Sequence, residues 1–301
     1  MQAIQTLLRA SIDYAGLFPP AALDMATAVD HYARYRSSDD AWALGRFILP
    51  ASRLAEFEGE LSASNGSLSW PMAALVGPDL TSDLDLIAAF NRRRHASGTG
   101  PSVDTIELKA SSVTAVDELM SRVPRHLQAY VEIPIEEDPA ELVAAIKRRG
   151  ARAKVRTGGV TREAFPKTQD LARFLAGCIT TRVAFKATAG LHHAVRAEYR
   201  LTYAADSPCG VMFGFLNVFL AVALLRDGLN LDRTEEVLEE TSPRAFQVGE
   251  REISWRGRRL DLSALRGARE DGIISYGSCS FSEPLEDLRA LQLLGTRAQR
   301  A

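Results

Sequence analysis

The sequence predicts an α/β fold whose parallel strands close into a (βα)8 barrel, on three observations. Eight short apolar runs recur along the 301 residues, near 12–18, 44–49, 72–76, 105–110, 129–135, 153–157, 183–188 and 273–280. Longer segments with helical spacing lie between most of them, and strand-then-helix repetition indicates a parallel sheet. The length suits one TIM-barrel domain over 1–301 that carries an insertion.

Taken in order, the helical segments are expected over 25–35, 80–93, 113–122, 139–149 and 167–175. The fourth shows both boundaries. Asp138 reads as its N-cap, with Pro139 at the first helical position. Gly150 follows the basic last turn Lys147-Arg148-Arg149 and stops it. About 80 residues then separate the seventh and eighth runs, far more than one crossover helix needs. That interval holds an apolar helix near 212–226, an acidic run over 235–240 and a hairpin over 253–260. Residues 197–270 are therefore expected to be an insertion in the loop after strand seven. Barrels keep their active sites on that face, so the insertion would act as a lid or as the contact of a homo-oligomer. The tail 296–301 is expected to fray.

Composition narrows the function classes. Hydrophobic residues make up 46% and charged residues 25%, an ordinary globular mix, and the net charge of -2 gives no global field for nucleic acid or an anionic membrane. Cys178, Cys209 and Cys279 form no zinc spacing and no disulfide framework, which suits a reducing, cytoplasmic setting. The N-terminal segment lacks the long apolar stretch of a secretion signal, and the apolar stretch 211–225 is too short to span a membrane, so it reads as a buried helix. No P-loop is present, and Gly98-Thr99-Gly100 lies in no strand–glycine–helix unit, so no cofactor is expected. Arg92-Arg93-Arg94 ends a predicted helix and reads as a solvated face.

The functional argument rests on strand parity. Alternate side chains of a barrel strand point inward and outward, and the outward set must pack under helices. In Thr105-Ile106-Glu107-Leu108-Lys109, Ile106 and Leu108 take the outer face, so Glu107 and Lys109 point inward. The same parity sends Glu132, Lys154, Arg156 and Lys186 inward, with Asp13 on strand one and Arg46 on strand two. Burying an unpaired charge costs on the order of several kcal/mol, much of a domain's stability. Six charges on four neighbouring strands therefore point to an active site rather than a purely structural salt-bridge network. Two acids against four bases predict a small anionic metabolite as partner, with neither nucleic acid nor membrane.

An amine is nucleophilic only when unprotonated, and a second cation nearby lowers its pKa. Lys154 and Lys186 on adjacent strands would supply this arrangement, and Glu107 or Glu132 would shuttle protons during Schiff-base formation. The competing reading leaves both lysines charged and simply binding an anion.

Five short motifs resemble those of deoxyribose-phosphate aldolase and related class I aldolases. Thr105-Ile106-Glu107 is similar to the strand-four segment with its proton-shuttling acid, and Val131-Glu132 resembles the strand-five motif. Lys154-x-x-Thr157-Gly158 resembles the strand whose lysine forms the Schiff base. Phe185-Lys186-Ala187-x-x-Gly190-Leu191 is similar to the strand whose lysine perturbs it. Gly277-Ser278-Cys279-Ser280 looks like the segment whose backbone N–H groups hold a phosphate. The resemblance covers 104–190 and 273–284 and implies a lyase with Lys154 as nucleophile, Lys186 as partner, Glu107 and Glu132 in proton transfer, and Gly277, Ser278 and Ser280 at the substrate. Two departures stand out: Arg156 replaces a small residue, and Ala189 replaces the first of two glycines.

Other residues complete the expected site. His192 and His193 follow strand seven as substrate contacts, Gly158 and Gly159 form either an anion-approach loop or a plain turn, and Cys279 reads as a buried thiol lacking a base. Two further function classes remain: a metal-assisted or cofactor-free isomerase or hydrolase using His192, His193, Glu107 and Glu132, and a non-catalytic small-molecule-binding barrel. No metal is expected for the lyase.

Overall fold

A computed structural model describes residues 2–61, 69–96 and 100–295. The tail 296–301 and Gly98-Thr99 fall outside the described residues. In chain order the elements are α1 (Gln2–Leu8), β1 (Ile12–Tyr14), α2 (Met25–Arg36), β2 (Leu44–Pro50), α3 (Leu54–Glu60), β3 (Pro71–Leu75), α4 (Leu80–Ala96), β4 (Ser102–Lys109), α5 (Val113–Arg122), β5 (Gln128–Glu132), α6 (Ala140–Arg148), β6 (Arg152–Arg156), α7 (Thr168–Thr181) and β7 (Phe185–Thr188). Then come β8 (Ala197–Arg200), β9 (Cys209–Met212), α8 (Phe215–Arg226), α9 (Leu231–Glu239), β10 (Phe246–Val248), β11 (Glu252–Trp255), β12 (Arg258–Asp261), α10 (Leu262–Glu270), β13 (Ile273–Ser278) and α11 (Ser282–Ala290).

Strands β1 to β7 and β13 close into a parallel barrel, and every pairing around the ring is parallel. All eight expected runs are barrel strands. Ile106, Leu108, Val131, Val155, Phe185 and Ala187 are buried in the hydrophobic core, as outward-facing positions under helices should be.

Local signals differ from expectation in small ways. Pro139 itself occupies the cap position, and the Asp138 carboxylate accepts the Ala140 N–H at 3.0 Å from one residue further out. Gly150 takes φ +69 and donates to Lys147 O, the expected left-handed stop. The first strand ends at Tyr14 and the eighth at Ser278, each shorter than its apolar run.

The interval between β7 and β13 divides into parts. β8 and β9 form an antiparallel pair, and β10–β11–β12 a small antiparallel sheet whose last turn, at Arg256-Gly257, closes the expected hairpin. Every residue of helix α8 from Phe215 to Leu224 is buried, and all but Asn217 are apolar, as a helix covered all round requires. The ring of Tyr276 on β13 stacks on Phe215 at 5.4 Å, so α8 supplies the helical cover that a β7-to-β13 crossover requires. Part of the expected insertion is therefore the barrel's own helix. None of the described helices is long and apolar enough to cross a membrane.

Candidate active site

The inward side chains at the C-terminal half of the barrel form one chain of alternating charge. Asp13 Oδ2 lies 2.5 Å from Lys186 Nζ, and Lys186 Nζ lies 2.6 Å from Glu107 Oε1. Glu107 Oε2 lies 2.7 Å from Lys154 Nζ, which also faces Glu132 Oε2 at 2.8 Å. The outer oxygen of Glu132 then meets Arg156 and Lys109, each at 3.4 Å. Register explains part of this order, because Lys109, Glu132, Lys154 and Lys186 are successive neighbours across β4, β5, β6 and β7.

Each carboxylate is seated by the fold. Asp13 accepts the Arg46 N–H at 2.8 Å and the Ser275 hydroxyl at 2.7 Å. Gly45 makes this approach feasible, since a Cβ there would stand 2.3 Å from Asp13 Oδ1. Burial opposes ionisation of Glu107, yet Lys154 and Lys186 outweigh it and hold the carboxyl down at about 2. Burial likewise works against Glu132, and Lys154, Arg156 and Lys109 together keep it below the usual range. Lys186 is fully buried over the Tyr130 ring; burial disfavours its charge, but Asp13 and Glu107 raise its pKa above the ordinary value.

This changes the expected role of Lys186. The two lysines are neighbours, but Glu107 stands between them with one oxygen on each. Lys186 therefore anchors Glu107 rather than pressing its charge on Lys154.

A cavity of about 290 Å³ opens above this chain. Glu107, Lys154, Arg156, Gly159, Thr188, Gly190, His192, Gly277 and Cys279 line it, with apolar cover from Phe18, Pro19, Pro20, Ile48, Leu75 and Val160. Its walls join where Thr157 Oγ1 donates to Ala189 O at 2.6 Å. Ala189 takes φ 61 and Gly190 φ 77, so the alanine adopts the left-handed conformation a glycine would hold more easily. A Cβ on Gly190 would meet Gly158 Cα at 2.8 Å, so the loops after β6 and β7 touch through glycine.

Of the expected site residues, the structure brings Glu107, Lys154, Arg156, Gly159, His192 and Gly277 to the cavity. Glu132 and Asp13 stand behind it as partners of the lysines. Lys109 is 71% exposed and lines a neighbouring cavity of about 400 Å³ with Arg156. Gly158 packs under Phe165, Ser278 is buried, and Ser280 Oγ accepts the Glu283 N–H at 3.2 Å; none of the three lines the central cavity. Arg46 lies in the first half of β2 and is held by Asp104 through bonds of 2.8 and 3.0 Å. Parity gives the face of a strand but not the depth, so Arg46 faces the right way at the wrong level.

The two histidines part company. His193 stacks on Tyr199 at 3.5 Å and faces Asp287, away from the central cavity. His192 Nδ1 lies 3.4 Å from Glu283 and 3.8 Å from Cys279 Sγ, while the Tyr203 hydroxyl reaches both Glu283 and Cys279. Burial lowers the pKa of His192, but the contacts with Cys279 and Glu283 outweigh it and hold it at about 9. Tyr203 and Glu283 were not expected; they come from the β8–β9 connection and α11, and nothing in their local sequence sets them apart. Among the described residues no group of three or more His, Cys, Asp or Glu side chains is placed to hold a metal ion.

Compared with protein-family models, curated proteins and solved structures, the chain matches none of them.

Proposed function

We propose that this protein is a lyase of class I aldolase type, in which Lys154 forms a Schiff base with a small anionic carbonyl compound. The observation that carries the reading is the position of Lys154. Of the three lysines on barrel strands, Lys109, Lys154 and Lys186, it alone borders the central cavity, and its Nζ lies within 2.8 Å of two carboxylates. The motif resemblance along β4 to β7 and β13 favours the same residue.

The chemistry follows from the partners. The ammonium of Lys154 passes a proton to Glu132, whose outer oxygen has only the looser contacts with Arg156 and Lys109, whereas each oxygen of Glu107 holds a lysine. The free amine attacks the carbonyl carbon, the new hydroxyl takes the proton back and leaves as water, and an iminium remains. The iminium carries the same single positive charge as the ammonium it replaces, so Glu107 stabilises it without rearrangement. Glu132, again a carboxylate, takes the proton of a hydroxyl on the second carbon beyond the iminium carbon; that carbon leaves as a carbonyl fragment, and the electron pair of the broken carbon–carbon bond moves toward nitrogen to give an enamine. The enamine carbon takes the proton back, and water hydrolyses the resulting iminium to free Lys154. Arg156 and His192 line the cavity as cations for the anionic group.

Borohydride treatment in the presence of a panel of short aldehydes and keto acids tests the reading. A covalent mass gain is expected in the wild type and not in Lys154→Met. Absence of any gain across the panel contradicts it.

A further inference from the structure

Arg156 stands at a junction between two cavities. Its side chain lines both the central cavity and the neighbouring one, and it is about half exposed. Its Nε donates to Glu132 Oε1 across 3.4 Å, longer than the roughly 2.7–2.9 Å of a tight charge-assisted bond. Glu132 is thus divided, with Lys154 at one oxygen and a loosely held rim cation at the other. Lys109, more exposed still, touches the same outer oxygen.

The guanidinium meets one oxygen of the carboxylate, and the Lys154 ammonium lies beyond it at the other. Its attraction to the first therefore exceeds its repulsion from the second, and it favours the pair as ammonium and carboxylate. Without it, only the exposed Lys109 holds the outer oxygen, and the burial of Glu132, which disfavours its charge, counts for more. The central cavity offers an incoming anion Arg156 and His192. The neighbouring cavity also contains Glu136 and Glu163 and so repels one.

We propose that Arg156 gates the nucleophile: the anionic group of a carbonyl substrate draws the guanidinium off Glu132 into the central cavity, and Glu132 then takes the proton of Lys154. The inference rests on the Schiff-base reading and narrows its substrate class. A carboxylate or phosphate on the substrate acts by switching on the amine as well as by binding, so discrimination against neutral aldehydes falls on the rate of imine formation. Arg156 is in this sense a positioning residue, acting through Glu132.

The test uses a neutral probe, propanal, with borohydride trapping at Lys154 followed by peptide mass. Wild type, Arg156→Gln and Glu132→Gln are compared in chloride and in inorganic sulfate at matched ionic strength. Sulfate should speed trapping in the wild type about tenfold. Arg156→Gln should trap propanal in chloride as fast as the wild type does in sulfate, with no further gain from sulfate. Glu132→Gln should lose the sulfate effect. If Arg156→Gln is no faster than wild type in chloride, or if wild type ignores sulfate, the gate is wrong and the Schiff base stands. If no protein gives an adduct on Lys154 with propanal or with any anionic carbonyl, both fall.

Discussion

Charge enters this barrel at two levels, and the two levels use it differently. In the C-terminal half, Asp13, Lys186, Glu107, Lys154 and Glu132 alternate in an unbroken chain that ends at a cavity and at the rim cations Arg156 and Lys109. Toward the N-terminal ends of the strands the cations are all arginines, and their donors go to structural acceptors. Arg46 is bound to Asp104, Arg152 donates to the Tyr130 hydroxyl at 2.9 Å, and Arg269 donates to Leu7 O, Arg9 O, Ile273 O and Ile274 O, pinning α1 to the start of β13. None of these arginines lines the central cavity. A charge inside a barrel is thus not in itself a site. What marks the upper level is an open cavity, amines in place of guanidinium groups, and an ion-pair chain whose last members reach solvent.

The contrast can be broken most severely at Lys186. Lys186→Met takes from buried Asp13 its ion-pair partner and leaves Glu107 with Lys154 alone, and should cost about 3–5 kcal/mol in chemical denaturation. Lys154→Met should cost less, about 1–3 kcal/mol, because Glu107 keeps Lys186 and Glu132 keeps Lys109 and Arg156.

Acid sharpens the same comparison. Burial opposes the depressed pKa of Glu107, but Lys154 and Lys186 set it at about 2 against an ordinary 4.5. A depressed carboxyl contributes stability above its unfolded pKa and loses it as pH falls through the folded one. Melting temperature should therefore fall from about pH 4.5 toward pH 2 in the wild type, and Glu107→Gln should flatten that window. His192 has the opposite sign. Its pKa is raised from 6.5 to about 9, so its contribution is complete below pH 6.5 and lost as pH rises through 9. His192→Gln should remove a decline in melting temperature across that interval.

The smallest effect belongs to the lower level. Arg46→Gln breaks a partly exposed ion pair and should change stability by about 0–1 kcal/mol, with no change in carbonyl trapping. A loss of trapping in this variant would erase the distinction between the two levels.

Much of this was legible in the sequence. The alternation of apolar and charged residues in 105–109 and 183–186 gave both the strands and their inward charges, because helices must cover the outer face. Depth was not legible, as Arg46 shows, and neither was partnership. Asp13 and Lys186 lie 173 positions apart, and only closure of the ring brings them together. Helix α1 has only seven residues and β8–β9 has no long apolar alternation, so neither declared itself. One signal lay unused. The chain has 36 basic residues, and only Lys109, Lys147, Lys154, Lys167 and Lys186 are lysines. A sequence that otherwise uses arginine nevertheless places two of its few amines at the barrel centre, where guanidinium cannot replace their chemistry.

That scarcity makes the most direct measurement a clean one: peptide mapping of all five lysines after borohydride trapping with an anionic carbonyl compound. Modification of Lys154, with Lys186 and the three others unmodified, is the predicted result. Label on Lys186, or label spread over Lys109, Lys147 and Lys167 with none on Lys154, would contradict the assignment of the nucleophile.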